Sequence, residues 1–186
     1  GNFATLDNEG KIIDRRAGRK IEREDTEKIS KEIEKKIRFS NPNASVVVAP
    51  TVDHRVIVRL RDSKPLSSEI SNTDPAYARV DGMGIAKAVS DFMKIEKCIP
   101  LEQTEDAASA AILVNEFTEQ SLEIMKKSDV NKQRSQKNKK LLNSILLRDA
   151  GNKYPNVKPI NDLHSMNFSC IVDMPVEVGI SNILKM

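Results

Sequence analysis

The apolar and polar positions of the first forty residues predict a β-hairpin followed by a surface helix. Residues 3–6 and 11–14 are β-prone runs on either side of an Asp-Asn-Glu-Gly turn, a pattern typical of a hairpin. Ile29, Ile33 and Ile37 then recur at intervals of four residues among lysines and glutamates. That spacing places the three isoleucines along one side of a helix, where they form a narrow apolar stripe.

The next two runs predict a pair of strands. Residues 46–49 are continuously apolar and end at Pro50, as a buried strand does. Side chains alternate between the two faces of a strand, so residues 54–61 would carry one apolar and one basic face. The apolar face consists of Val56, Val58 and Leu60, and the basic face of Arg55, Arg59 and Arg61 with Ile57 among them.

Further along the chain, helices and strands continue to alternate. Residues 62–104 are irregular and loop-rich, with a short helix predicted over 85–93. A long helix is predicted from about residue 105 to 127, a strand over 144–147 and a closing helix over 175–186. Strands interleaved with helices predict the α/β class, with a mixed sheet flanked by helices on both faces.

Composition narrows the class of protein. The chain has 186 residues, suiting one domain, with 4% aromatic residues and a formal net charge of +3. Two cysteines exclude a disulfide scaffold and the common zinc ribbons, and we expect both Cys98 and Cys170 to be buried structural thiols. With no apolar run of ~20 residues and no signal peptide, we expect a cytoplasmic protein without a membrane partner.

Both ends of the chain interrupt a structural pattern. Gly1 stands in place of a starting Met, directly before a predicted strand, and Met186 lies inside an apolar, helix-like run. We therefore expect residues 1–186 to be a single domain excised from a larger chain.

A group of arginines after the first hairpin is the first candidate for chemistry. Asp14, Arg15, Arg16 and Arg19 follow a predicted strand, and Gly18 would let the backbone approach an anion closely. Guanidinium groups bind carboxylates and phosphates through paired hydrogen bonds. A solvated charged loop is the alternative, and for arginine runs in general it is the commoner structure.

Five further residues extend this set. Arg55 and Arg61 lie on one strand face, where like charges repel each other unless an anion or carboxylates lie between them. His54 begins the same strand, although a lone His there is more often a structural residue. Asp74 lies in a run of good turn formers, and Arg148 stands at a strand exit before a Gly turn.

These clusters together resemble one family. The motifs that carry the resemblance are residues 2–7 (Asn-Phe-Ala-Thr-Leu-Asp), 10–19 (Gly-Lys-Ile-Ile-Asp-Arg-Arg-Ala-Gly-Arg), His54-Arg55, Leu60-Arg61, 71–75 (Ser-Asn-Thr-Asp-Pro), 115–117 (Asn-Glu-Phe), Asn131 with Arg134, and 145–151 (Ile-Leu-Leu-Arg-Asp-Ala-Gly). In this order they resemble the archaeal-type cofactor-independent phosphoglycerate mutases of the alkaline-phosphatase superfamily. Asn72 and Asp149 depart from it, since the family usually has Asp and Gly there.

The resemblance implies a function and a division of labour. The family interconverts 3-phosphoglycerate and 2-phosphoglycerate through a serine nucleophile and two divalent metals, manganese or similar. The chain matches only the inserted substrate-binding domain, which closes as a lid over the substrate. We therefore expect no metal site and no cofactor here, a missing phosphatase-like core as partner, and no activity of the isolated fragment.

The resemblance also suggests residue roles. Asp14 would orient a glycerate hydroxyl or act as its base. The expected substrate contacts are Arg15, Arg16, Arg19, His54, Arg55, Arg61, Asp74 and Arg148.

Two alternatives remain open from the sequence. The polar residues 129–140 form either a solvated helix or a basic loop. Together with the arginine strand, the segment from Lys126 to Lys140 suggests a free-standing nucleic-acid-binding module. The small net charge and the lack of an aromatic platform argue against nucleic acid as a partner. A purely structural interaction domain, with the arginines in salt bridges, is the other alternative.

Overall fold

A computed structural model describes residues 1–80, 83–88 and 93–186, and these divide into two compact units. The first unit comprises residues 1–151 and the second residues 152–186. The elements in chain order are β1 (Asn2–Leu6), β2 (Ile12–Asp14), α1 (Arg23–Lys36), β3 (Ser45–Pro50), β4 (Val56–Arg61), β5 (Tyr77–Val80), β6 (Met83–Ala86), α2 (Glu105–Lys126), α3 (Asp129–Gln136), β7 (Ser144–Leu146), α4 (Ile160–His164) and α5 (Pro175–Leu184).

Three small antiparallel sheets form the β-structure of the first unit. One has three strands in the order β2-β1-β7, and the other two are the hairpins β3-β4 and β5-β6. In the three-stranded sheet, Phe3 lies opposite Ile145. The α/β class is confirmed, and in the described residues the strands divide among these three sheets instead of joining one mixed sheet. In each two-stranded sheet the strands follow each other closely in sequence and are antiparallel, because parallel neighbours need a long crossover.

The main core is formed by residues of the first sheet, of the β3-β4 sheet and of helices α1 and α2. Ile29 and Ile33 of the predicted apolar stripe are fully buried, and Ile37 is nearly so. They pack in one cluster with Phe3 and Phe117. The three-stranded sheet is thereby fixed against both helices, which matters because β2 and β7 each lead into a loop of the candidate site.

The face pattern predicted for β4 is confirmed. Val56 is buried and Val58 and Leu60 are partly buried, whereas Ile57 is 60% exposed. The arginines of the opposite face are all exposed: Arg55, Arg59 and Arg61.

The irregular stretch 62–104 contains a hairpin that the sequence did not predict. The short helix predicted over 85–93 is wrong at its start, because Ile85 and Ala86 belong to β6 and pair with Ala78 and Tyr77. Residues 89–92 of that prediction lie outside the described residues. Cross-strand pairing to the preceding strand β5 outweighs the weak helical signal of these residues.

Helix α2 and the segment after it agree more closely with the sequence. The hydroxyl of Thr104 accepts a hydrogen bond from the backbone N–H of Ala107 and caps α2, as a Thr at this position does. Within the polar stretch 129–140, residues Asp129–Gln136 form helix α3, with Asn131 and Arg134 buried. The solvated-helix alternative therefore describes this segment better than a basic loop, although two of its polar residues are in the interior.

The second unit has a different character. Its two helices, α4 and α5, contain no buried residue.

The expected burial of both thiols is confirmed for Cys98 and wrong for Cys170, which is exposed. In the described part of the chain, no helix combines the length and the apolar character needed to cross a bilayer.

The two faces of α2 give a matched test of the core. Phe117→Ala removes a fully buried ring and should cost the first unit about 3–5 kcal/mol of unfolding free energy. Ile112→Ala, on the exposed side of the same helix, should stay within about 0.5 kcal/mol. Urea unfolding followed by circular dichroism measures both, and equal losses would contradict the assigned core face.

Candidate anion-binding site

The centre of the candidate site is the carboxylate of Asp74, whose side chain is 0% exposed. Arg15 Nη2 donates to Asp74 Oδ1 at 2.9 Å and to Oδ2 at 2.8 Å. Arg148 Nη1 donates to Oδ2 at 3.2 Å. Burying a charge is costly unless it is paired and hydrogen-bonded, and here two guanidinium groups supply the pairing.

An aromatic ring lies against both guanidinium groups. The guanidinium carbon of Arg15 is 5.3 Å from the centre of the Tyr77 ring, and that of Arg148 is 4.7 Å away. The ring's π-face attracts cations and offsets part of the repulsion between two arginines held so close together. With its amide turned so that Oδ1 faces Arg148, Asn2 also accepts from Nη1 at 3.1 Å.

Backbone pairing brings the loop after β7 to the segment that carries Asp74. The backbone N–H groups of Thr73 and Asp74 both donate to the Leu147 carbonyl, at 2.9 and 3.0 Å. The Leu147 N–H donates in return to Thr73 Oγ1 at 2.9 Å. The N–H of Asp149 donates to Asn72 Oδ1 at 3.1 Å. Arg148 therefore lies between two residues whose backbones are held by residues 72–74.

Asp14 shapes the loop that presents Arg15. Its Oδ1 accepts from the N–H of Arg16 at 2.8 Å, and its Oδ2 accepts from the N–H of Gly18 at 3.0 Å. Ala17, Gly18 and Arg19 have φ values of 44°, 85° and 70°. Left-handed backbone is disfavoured for residues other than glycine, so the two hydrogen bonds to Asp14 offset strain in this loop.

His54 marks a second group of basic residues. Its Nδ1 is buried and has no hydrogen-bond partner in the described residues. Burial lowers the pKa of His54 below its usual 6.5, and the neighbouring charges of Arg16 and Arg55 lower it further, although a hydrogen bond to the Arg19 backbone opposes them. Burial and adjacent cations both disfavour the protonated ring.

The structure thus sorts the residues singled out by the sequence into three places. Arg15, Asp74 and Arg148 meet directly, with Asp14 at the base of the Arg15 loop. Arg16, Arg19 and Arg55 lie around His54. Arg61 is on the exposed face of β4, apart from both groups in its described contacts.

Three contributors were missed by the sequence analysis. Tyr77 lies against both guanidinium groups, Asn72 holds the backbone of residue 149, and Arg79 binds the carbonyl of Ala150. Asn72 lies inside one of the motifs, but its sequence context predicts only a turn. The sequence does not point to Tyr77 or Arg79, since the site residues that they contact, Arg15 and Arg148 for Tyr77 and Ala150 for Arg79, lie far away along the chain.

The comparisons with known proteins decide the family. A family model described as 2,3-bisphosphoglycerate-independent phosphoglycerate mutase matches residues 1–131. The chain belongs to this family. The resemblance found in the sequence motifs is thereby confirmed.

Individual relatives agree with the family assignment. The chain is 36% identical to a 2,3-bisphosphoglycerate-independent phosphoglycerate mutase of Aeropyrum pernix over 185 residues, covering 97% of the chain and 43% of the relative. For the mutase of the same description from Pyrobaculum aerophilum, the identity is 34% over 192 residues, covering 100% and 42%. The chain spans about two fifths of the length of the curated relatives it matches.

A solved structure supports the fold of this family. The cofactor-independent phosphoglycerate mutase from Thermoplasma acidophilum DSM 1728 matches with a TM-score of 0.66 and 26% sequence identity. The match covers 100% of this chain and 45% of that structure.

The described residues of this phosphoglycerate mutase family member do not fit a metal centre. Among residues 1–80, 83–88 and 93–186, no three His, Cys, Asp or Glu side chains form a group that could hold a metal ion. The sequence Asp-Gly-Met-Gly at 81–84 has a weak likeness to metal-binding loops, and its first two residues lie outside the described residues. The candidate site consists instead of two guanidinium groups around one buried carboxylate.

Removing the charge of Asp74 tests the central pair. In Asp74→Asn the amide nitrogen would face guanidinium donors, so we expect a loss of about 2 kcal/mol of unfolding free energy. Glu123→Gln removes the same charge from a surface pair with Lys127 and should cost less than about 0.5 kcal/mol. Chemical denaturation of both variants beside the wild type measures the difference; a loss for Asp74→Asn no larger than for Glu123→Gln would contradict a structural role.

The lowered pKa of His54 predicts a pH dependence. Because the folded protein binds the proton less tightly than the unfolded chain, His54 stabilises the fold fully above the unfolded pKa of 6.5. This contribution should be lost as the pH falls from 6.5 through the lower folded pKa. His54→Gln should therefore lose less stability than the wild type between pH 7.5 and 5.5. An NMR titration giving the folded ring a pKa of 6.5 or higher would refute this prediction.

Proposed function

We propose that this chain is the substrate-binding lid part of a phosphoglycerate mutase that interconverts 3-phosphoglycerate and 2-phosphoglycerate. The curated relatives from Aeropyrum pernix and Pyrobaculum aerophilum carry the name of that enzyme, and each aligns with almost the whole chain. The proposal concerns a larger enzyme, of which this chain would supply the residues that bind and orient the substrate.

One observation carries the proposal: Arg15 and Arg148 converge on a single buried carboxylate and a single aromatic ring. Asp74 balances one of the two guanidinium charges in the interior. Both phosphoglycerates carry a carboxylate and a phosphate, which are the groups that guanidinium donors bind in pairs. In the described residues, neither Arg15 Nη1 nor Arg148 Nη2 has a hydrogen-bond partner, so each has a donor available for a substrate oxygen.

The other candidate residues would contribute to substrate binding in different ways. Arg16, Arg19 and Arg55, grouped around His54, would extend the positive field toward the substrate. Asp14 would hold the Arg15 loop through its backbone contacts and, with its remaining lone pairs, orient a glycerate hydroxyl or accept its proton. Arg61, exposed on β4, has the weakest geometric support among the proposed contacts.

The chemistry of phosphoryl transfer is assigned to parts of the enzyme other than this chain. A serine nucleophile and a divalent metal, manganese or similar, would act there, and the described residues here would hold the glycerate while its phosphate is detached. Closure over the substrate would exclude water, because water reaching a phosphorylated serine would turn the mutase into a phosphatase. On this proposal the isolated chain has no mutase activity.

The decisive experiment measures conversion of 3-phosphoglycerate to 2-phosphoglycerate by the full-length enzyme with a divalent metal. Arg15→Ala should lower kcat/KM about 10- to 100-fold, the worth of one or two charge-assisted hydrogen bonds. Asp14→Ala should also lower it, because the Arg15 loop loses its two carboxylate contacts.

Arg59→Ala is the matched control, since this exposed arginine has no ion pair in the described residues and takes no part in the proposed site. Wild-type kcat/KM in both Arg15→Ala and Asp14→Ala would overturn the binding role. Absence of conversion by the wild-type enzyme would overturn the activity itself.

A further inference from the structure

We propose that Arg79 is a positioning residue, which fixes the backbone after Arg148 and thereby aims the Arg148 guanidinium at Asp74. The effect of this role on catalysis rests on the proposed function, because it requires that Arg148 binds the substrate. The structural part, namely that Arg79 controls the geometry of residues 147–151, stands without it.

Arg79 is an interior arginine with both ends of its fork in use. Its side chain is 7% exposed. Nη1 donates to the Ala150 carbonyl at 2.6 Å, and Nη2 donates to Glu69 Oε1 at 3.1 Å. The pair with Glu69 compensates the buried charge and leaves the other arm aimed at the backbone of a loop 71 residues away in sequence.

The loop that Arg79 grips contains a disfavoured backbone conformation. Asp149 has a φ of 58°, in the left-handed region that costs a residue with a Cβ roughly 1 kcal/mol or more. Such a conformation persists only when contacts on both sides enforce it. Before Ala150, the backbone N–H groups of Leu147 and Asp149 donate hydrogen bonds to the side chains of Thr73 and Asn72, respectively.

On the far side, Arg79 holds the carbonyl of Ala150, directly after the left-handed residue. Without this contact, Asp149 can relax to an ordinary conformation. The backbone change would begin one residue after Arg148 and turn its side chain away from Asp74 and Tyr77. Asp149 Oδ2, which lies 3.3 Å from Arg148 Nε, would move with the loop.

The geometry of the fork makes this role specific to arginine. A lysine at position 79 has a single ammonium nitrogen. It cannot donate to the Ala150 carbonyl and to Glu69 from two separate nitrogens held in one plane, as the guanidinium does. We therefore expect Arg79→Lys to keep the fold, since it preserves a cation beside Glu69, and to lose part of the control over the loop. Arg79→Met removes both contacts while keeping most of the apolar stem.

The first test is a double-mutant cycle in the full-length enzyme. Arg79→Met should lower kcat/KM for 3-phosphoglycerate about tenfold, and Arg79→Lys should lie between it and the wild type. If Arg79 acts through Arg148, then Arg79→Met should cause little further loss in an Arg148→Met background. Full additivity of the two losses, or an unchanged kcat/KM in Arg79→Met, would overturn the proposal. Arg59→Met, an exposed arginine of β4, is the control for loss of a strand arginine.

The second test uses amide hydrogen exchange in the 186-residue chain and needs no activity. In Arg79→Met and Arg79→Lys, the amides of Leu147 and Asp149 should exchange at least about tenfold faster, while those of helix α2 keep their protection. Unchanged exchange at both amides would refute the positioning role, even with an active enzyme. A wild-type enzyme without mutase activity would refute the proposed function alone, because the exchange result decides the role of Arg79 independently.

Discussion

The site depends on one constraint, the burial of the Asp74 carboxylate. A carboxylate taken out of water loses its hydration, and the cost is recovered only if cations and hydrogen-bond donors replace that water. Arg15 and Arg148 both do so, and the N–H of Ala76 donates to Oδ1 as well. Because the two arginines come from opposite ends of the first unit, satisfying this one side chain ties three distant segments together.

The three-stranded sheet makes that convergence possible. Strand β1 lies between β2 and β7, so the loops that leave its two neighbours are held on one framework. Arg15 follows β2 directly, and Arg148 follows β7 after a single residue. A short sheet suffices for this purpose, since it is anchored by Phe3 in the same core cluster as the isoleucines of α1.

Strain is concentrated in the two loops that present the arginines. The Arg15 loop has three consecutive residues at positive φ, and the Arg148 loop has one at Asp149. In both, the strained backbone is bonded to a side chain, Asp14 in the first and Asn72 in the second. Strained, well-held loops of this kind are typical of positions where a side chain must point in one direction. Family membership agrees with such a use, although the chain spans only about two fifths of its relatives.

The sequence by itself determined the features that depend on local periodicity. The stripe formed by Ile29, Ile33 and Ile37, the two faces of β4 and the cap at Thr104 could be predicted because each follows from the spacing of residues within one element. The motifs also identified the family, and they contain the two arginines that the structure brings to Asp74. These are properties of short segments, and a sequence displays them directly.

Only the tertiary structure decided which of these residues meet. The pairing of Arg15 with Asp74 spans 59 residues, and no local pattern specifies it. The same holds for Tyr77 against both guanidinium groups and for Arg79 at the loop after β7. Strand β6 is a different case, since it pairs with the strand directly before it, and this pairing outweighs the helical tendency of its own residues. Contacts between distant segments depend on how the whole unit packs, and no short stretch of the sequence specifies that packing.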